Sequence, residues 1–417
     1  MKIDLKYGTG NVSFEIAKER IVEICEVGSM PPIADAVKAL RDAMADPLGA
    51  GLADVVKKGD RVLLLTVDFT RPSPRELMGP VIEEIESIGA TVDIMIGLGN
   101  HRPMTDKELV GFIGTADVMQ NDPKGPMWEL GTTQFGTPIE VDERLRDYDV
   151  RVAIGFVEPS YLLGFTGSRK ILMPGVASSR AIAHNHFLLL SPGRKLGLLH
   201  GNQLSDDALE FARAVGLHWI ADVVLNPDDS YGAVYCGDME QANEAACADS
   251  ARMYEHRVSA KADIVIVSCH GHPYDFDLVQ TKKGLVPAME CVREGGAIIM
   301  VGRCPDGWGG EGGVSRKALT EEEPAAILAD LQRRFEQHNC PWELVPCSCR
   351  YLMPKAVSEM GCQVIAVTDI NDDLAKTFID VAPSVSEALR MAEDRLGGEA
   401  TVTVIPDGRR IIPVTAP

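Results

Sequence analysis

The stretch Arg61–Asp68 (RVLLLTVD) decides the fold class. Val62 to Leu65 run without polar alternation, which is the pattern of a strand covered on both faces. A helix signal follows after a short polar loop. Ser73-Pro74-Arg75-Glu76 has the form of a capping box, with Ser73 as N-cap, Pro74 at the first helical position and Glu76 reaching back. Leu77, Val81, Ile82 and Ile85 then recur at helical spacing. Outward from this unit the same alternation repeats. Strands are expected at 90–97, 150–157 and 221–225. A second series is expected from about residue 262: strands at 262–269, 296–302, 363–368 and 401–405, and helices from Phe276 to about Glu294 and from Thr320 to His338. Thr320 and Glu323 offer another capping pattern. This rhythm predicts an α/β protein of two α/β domains, 1–258 and 259–417. Polar clusters follow the strands, and in open α/β sheets ligands sit beyond the carboxyl ends of strands. An active-site cleft between the two domains is therefore expected.

Length and composition agree. The chain has 417 residues, 45% hydrophobic and 24% charged, which suits a soluble globular chain of two or three domains. Its 41 Lys+Arg against 61 Asp+Glu give a net charge of −20, which argues against nucleic-acid binding. A local basic pocket for a small anion stays compatible with that charge. The apolar runs are too short to span a membrane. The start of the chain lacks an apolar segment of signal-peptide type. The ten cysteines form no C-x-x-C pairs, so reduced thiols and a cytoplasmic location are expected.

The loops after the strands carry the candidate chemistry. Asp68-Phe69-Thr70-Arg71 lies between a strand end and a helix start, where exposed amides favour an anion. Arg71 adds a planar fork for phosphate or carboxylate, or else pairs with Asp68 to pin the loop. His101 follows Gly97-Leu98-Gly99-Asn100 and is either a general base or a surface histidine. Gly164-Phe-Thr-Gly-Ser-Arg-Lys170 is not a Walker A loop, but its lysine suits a phosphate site or a nucleophile. Ser178-Ser179 are placed to cap a helix carrying His184 and His186, of which at most one faces a given site. Gln280 and Lys283 share a helix face and suit a carboxylate or hydroxyls, or form a solvated surface. Cys269-His270-Gly271-His272 offers metal-ligand types without a second cluster at the usual spacing. No G-x-G-x-x-G follows an early strand, which counts against a nicotinamide dehydrogenase.

Taken in order, Asp68-Phe-Thr-Arg-Pro72, Gly97-Leu-Gly-Asn-His-Arg-Pro103, Glu158 to Lys170 with Met173-Pro-Gly175 and His186, Gln280-Thr-Lys-Lys283 and Cys304 to Glu311 resemble the nickel-pincer lactate racemase family. The resemblance spans nearly the whole chain. It implies two α/β domains with the site between them, and racemisation or epimerisation of an α-hydroxy acid. It implies a cofactor, the nickel-pincer nucleotide: a pyridinium mononucleotide whose two sulfur-containing arms hold nickel. By the resemblance, Lys170 carries this group through a thioamide, and His186 completes the nickel coordination. Asp68, Phe69, Thr70 and Arg71 surround it, and Gln280 and Lys283 hold the substrate carboxylate. The partners implied are a small α-hydroxy acid and the enzymes that assemble the cofactor. The family chemistry passes hydride from the substrate's α-carbon to the pincer ring and back, with a histidine taking the hydroxyl proton.

The chain departs from the family pattern at one of two catalytic positions. His101 is kept, but Ser160 stands where the family has a second histidine. A serine hydroxyl does not titrate near neutrality and cannot replace imidazole unaided. Either another group (Tyr161, His184 or a substrate-bound water) fills the role, or the substrate is a bulkier polyhydroxy acid, or the chain performs one-sided redox or only binds the cofactor. Ser168, in place of a common glycine, and Trp308 point to a different pocket shape.

Overall fold

A computed structural model describes residues 1–193, 195–309, 312–340 and 347–415, and divides the chain into two units. One comprises Gly28–Met253. The other joins Met1–Val27 to Tyr254–Pro417.

The unit 28–253 is built on a six-stranded sheet in the order 231–237, 219–225, 150–157, 61–66, 91–96, 119–120. All neighbours are parallel except the edge strand Tyr231–Gly237. Val150–Val157 is buried at every position and lies between Arg61–Thr66 and Trp219–Leu225. Both of its faces are covered, which is why its sequence shows no alternation. Arg61–Thr66 begins and ends close to the expected bounds. The helix after it starts at Arg75, with Pro74 rather than Ser73 in the N-cap position. The expected capping box is not formed. Ser73 Oγ instead donates to the Phe112 carbonyl and accepts from the Arg75 N–H. The core packs Leu64, Leu77, Val81, Ile85, Val152 and Ile154 together.

The second unit carries another six-stranded sheet, wholly parallel, in the order 380–381, 363–367, 292–301, 262–268, 402–405, 21–24. Its edge strand Ile21–Ile24 comes from the start of the chain. The hairpin of Lys2–Tyr7 and Gly10–Glu15 sends Ile3, Leu5 and Phe14 into the same core as Ile266, Ile299 and Val404. The unit is therefore discontinuous, and its division differs from the expected 1–258 and 259–417. A strand of four residues gives no sign in sequence of which distant sheet it joins. The helix expected over 320–338 spans Pro324–Glu336 and follows a separate helix, Gly312–Glu321. Pro324 stands at its first position, where the missing N–H costs nothing. The segment from Phe276 likewise breaks into Leu278–Thr281, the turn Lys282–Gly284 and Leu285–Cys291. Among the described residues no helix is long and apolar enough to cross a membrane.

Candidate active site

The carboxyl ends of three adjacent strands in the unit 28–253 meet at one cavity. Val67, Asp68, Thr70 and Arg71 follow the strand 61–66. Gly97, Leu98, Gly99 and His101 follow 91–96. Phe156, Thr166, Gly167, Lys170 and Ile171 come from the strand 150–157 and the loop beyond it. This is the crest at which open α/β sheets bind ligands.

The polar groups form a linked set. Asp68 is buried, and its Oδ1 accepts from the Thr70 N–H at 3.0 Å and the Thr70 hydroxyl at 2.6 Å. Its Oδ2 lies 2.5 Å from His101 Nδ1. Burial pushes the Asp68 carboxyl up, but the charge and hydrogen bond of His101 and the Thr70 bonds outweigh it and hold the group below its ordinary value. Asp68 is thus the ionised partner, so Nδ1 is the nitrogen that donates, and His101 Nε2 is left as the ring's base. Arg71 Nε stands 3.1 Å from the buried Glu158 carboxylate, and its Nη1 donates to the Thr70 carbonyl at 2.8 Å. Burial, and after it the Arg71 charge, bring the Lys170 ammonium down from 10.5 to about 8. Only a minority of that amine is unprotonated at neutral pH, but far more than of an ordinary lysine, which favours a nucleophilic role.

Two glycines make room for this arrangement. A Cβ on Gly97 would stand 3.2 Å from both Gly175 Cα and the Ile171 carbonyl oxygen. Gly167 has φ +124° and packs against the side chains of Asn243 and Asp222, leaving no space for a Cβ. The loop it belongs to is pinned from behind, because Ser168 donates to Asp222 Oδ1 from its N–H at 2.8 Å and its hydroxyl at 2.6 Å. Ser168 thus faces Asp222, not the cavity.

The structure brings together Asp68, Thr70, Arg71, His101 and Lys170. Phe69 stands just outside the lining, its ring 6.5 Å from that of His101 and covered by the Arg102 guanidinium at 4.5 Å. Ser160 is buried in the hairpin 159–165, where it pairs with Gly164 and its Oγ accepts from the Leu163 N–H at 3.4 Å. His186 sits in the last turn of the helix Ser179–Phe187, capped by Ser178 as expected. Neither Ser160 nor His186 is among the residues lining the cavity. Gln280 and Lys283 belong to the other unit, where Lys283 Nζ donates to Gln280 Oε1. Asp277 caps the helix of Gln280 through the Gln280 N–H at 2.7 Å, and Lys283 lies in the turn that follows. Gly310 and Glu311, which end the motif begun at Cys304, lie outside the described residues. Cys269 is buried with its thiol on the Thr281 carbonyl at 3.0 Å, which agrees with the sequence reading that the Cys–His stretch lacks a companion ligand cluster. Sequence reasoning passed over Glu158 as a site residue. Its only signal was position, an acid directly after a buried strand.

An ionised aspartate paired with a histidine, an arginine and a lysine of lowered basicity surround one crest cavity of an α/β protein. Comparison with known proteins gives the family. Residues 7–197 match the Lactate racemase N-terminal domain, and residues 258–413 the Lactate racemase C-terminal domain. The lactate racemase of Thermoanaerobacterium thermosaccharolyticum is 30% identical, with 98% of each chain covered. That of Lactiplantibacillus plantarum is 28% identical over 98% of this chain and 99% of its own. The structure of the T. thermosaccharolyticum lactate racemase apoprotein superposes with a TM-score of 0.89 at 27% identity, covering 99% of this chain and all of that one. A Thermotoga maritima protein shares the fold, with a TM-score of 0.69 at 16% identity. The chain belongs to the lactate racemase family, and it is an isomerase of the racemase class.

Proposed function

We propose that the protein racemises or epimerises a small α-hydroxy acid with a nickel-pincer nucleotide held at the cavity of the unit 28–253. The observation that carries this reading is the convergence of Lys170, Arg71 and the Asp68–His101 pair on one cavity. The relatives named lactate racemase supply the substrate class, and lactate is the first compound to assay.

Lys170, Arg71 and the Asp68–His101 pair, which line the cavity, fit the nucleotide. The sulfur arms of the nucleotide would hold the nickel ion, and the resemblance assigns His186, which does not line the cavity, as the protein's ligand. Lys170, with its pKa of about 8, is suited to covalent attachment. Arg71 suits the nucleotide phosphate, its charge partly balanced by Glu158. When bound, the group supplies a hydride acceptor and donor, which no side chain offers. His101 takes the substrate hydroxyl proton at Nε2, and ionised Asp68 steadies the imidazolium that results. Gln280 and Lys283 are assigned to the substrate carboxylate.

The test uses protein made in cells that also assemble the cofactor. Intact mass is expected to show a stable adduct that Lys170→Ala abolishes. Nickel is expected near one per chain, and His186→Ala is expected to lose it at equal folding. An adduct that survives Lys170→Ala sinks the attachment assignment. No adduct and no nickel in the unaltered chain sink the cofactor reading. With adduct and nickel in place, a chain that interconverts α-hydroxy and α-keto acids without loss of optical purity would instead be the one-sided redox homologue that Ser160 permits.

A further inference from the structure

A buried network behind His186 has no part in the chemistry described so far. Asp207, on the helix Gln203–Val215, is fully buried. Its carboxylate accepts from the Thr133 hydroxyl at 2.5 Å, the Thr137 hydroxyl at 2.9 Å and Asn185 Nδ2 at 2.7 Å. Asn185 is fully buried as well, and its Nδ2 also donates to the Leu204 carbonyl at 3.1 Å. A carboxylate and a carbonyl are both acceptors, so the amide nitrogen must face them. The orientation of the amide is thereby fixed, and its Oδ1 faces the other way. That oxygen lies 3.2 Å from His186 Nδ1. An amide oxygen only accepts, so Nδ1 must carry the proton.

We propose that Asn185, oriented by Asp207, is a positioning residue that holds His186 as the Nδ1–H tautomer, with Nε2 as the metal-binding nitrogen. The inference rests on the reading of His186 as a nickel ligand. Its physical basis is general: a ligating histidine needs its other ring nitrogen held by an acceptor, which sets the tautomer and the ring plane. A free neutral imidazole has no such constraint, so without the acceptor part of the population carries its proton on the nitrogen the metal needs. The two hydroxyls and the Leu204 carbonyl keep the amide from flipping.

The first test needs no metal and no substitution at the network. In the metal-free full chain labelled with 15N-histidine, long-range proton–nitrogen NMR reads each ring nitrogen, and His186→Gln identifies the His186 signals. Above the titration of the ring, Nδ1 is expected as the protonated nitrogen and Nε2 as the bare one; a His186 protonated on Nε2 overturns the proposal. Asn185→Ala is expected to move both nitrogens toward a tautomer mixture. It is also expected to weaken nickel retention in the loaded protein by roughly ten- to a hundredfold, the usual effect of removing such a partner. An unchanged tautomer in Asn185→Ala overturns the proposal even if nickel is lost. An unaltered chain with the expected tautomer that never takes up nickel supports the tautomer assignment and overturns the ligand role of His186.

Discussion

At the scale of single residues, the site is governed by which groups are charged when buried. Lys170 binds its proton less tightly when folded, at about 8 against 10.5 in the open chain. Between those values the unfolded state holds more protons, so stability rises with pH across that window. Below it, the desolvated ammonium costs stability. Lys170→Met is therefore expected to be more stable than the unaltered chain at neutral pH, with the advantage shrinking as pH rises from about 8 to 10.5. Urea unfolding at a series of pH values measures this, and an advantage independent of pH would contradict it. Asp68 shows the opposite sign. Its folded pKa is depressed, so its contribution is present above the ordinary carboxylate value of 3.8 and is lost as pH falls through the folded value. Asp68→Asn is expected to cost about 1–3 kcal/mol near neutral pH, the range for disturbing a buried charged hydrogen bond. The gap to the unaltered chain should close in acid. His101, Arg71, Lys170 and Glu158 were all legible as polar residues in loops after strands. The role of Glu158 was not, because what makes it matter is the Arg71 guanidinium 3.1 Å away.

At the scale of elements, the strands were more readable than the helix starts. Val150–Val157 matches the expected strand residue for residue, since covering both faces of a strand leaves no room for polar alternation. Ser73 misled because a capping serine competes with any nearby carbonyl, and here Phe112 takes its hydroxyl. The capping pattern at Thr320 failed because Pro324 imposes its own helix start. The turn that presents Lys170 depends on Gly167, whose positive φ and crowded surroundings leave no room for a side chain. Gly167→Ala is expected to destabilise the protein by about 1–3 kcal/mol from backbone strain alone. The same change is expected to lower the yield of Lys170 adduct, because Asp222 can no longer hold the turn through Ser168. Denaturant midpoint and intact mass read the two effects separately. Full stability with full adduct would show that the turn tolerates a Cβ.

At the scale of the whole molecule, chain order and unit membership part company. Residues 1–27 supply an edge strand and a hairpin to the unit that otherwise runs from 254 to 417. A fragment 28–253 is expected to fold alone, because its sheet and core are complete within it. A fragment 254–417 is expected to fail, since the strand Val402–Ile405 loses one of its two neighbours and the core loses Ile3, Leu5 and Phe14. Addition of a 1–27 peptide is expected to rescue it in part. Circular dichroism and protease resistance test this, and a folded 254–417 fragment without the peptide would contradict it. The amino-acid sequence by itself determined the α/β class, the strand ends that carry chemistry and the family, because these rest on local apolar runs and short motifs. The tertiary structure decided which residues share a cavity, which acid pairs with Arg71, where the first strands belong and how Asn185 faces His186. Those are contacts between segments tens to hundreds of residues apart, and local pattern holds no record of them.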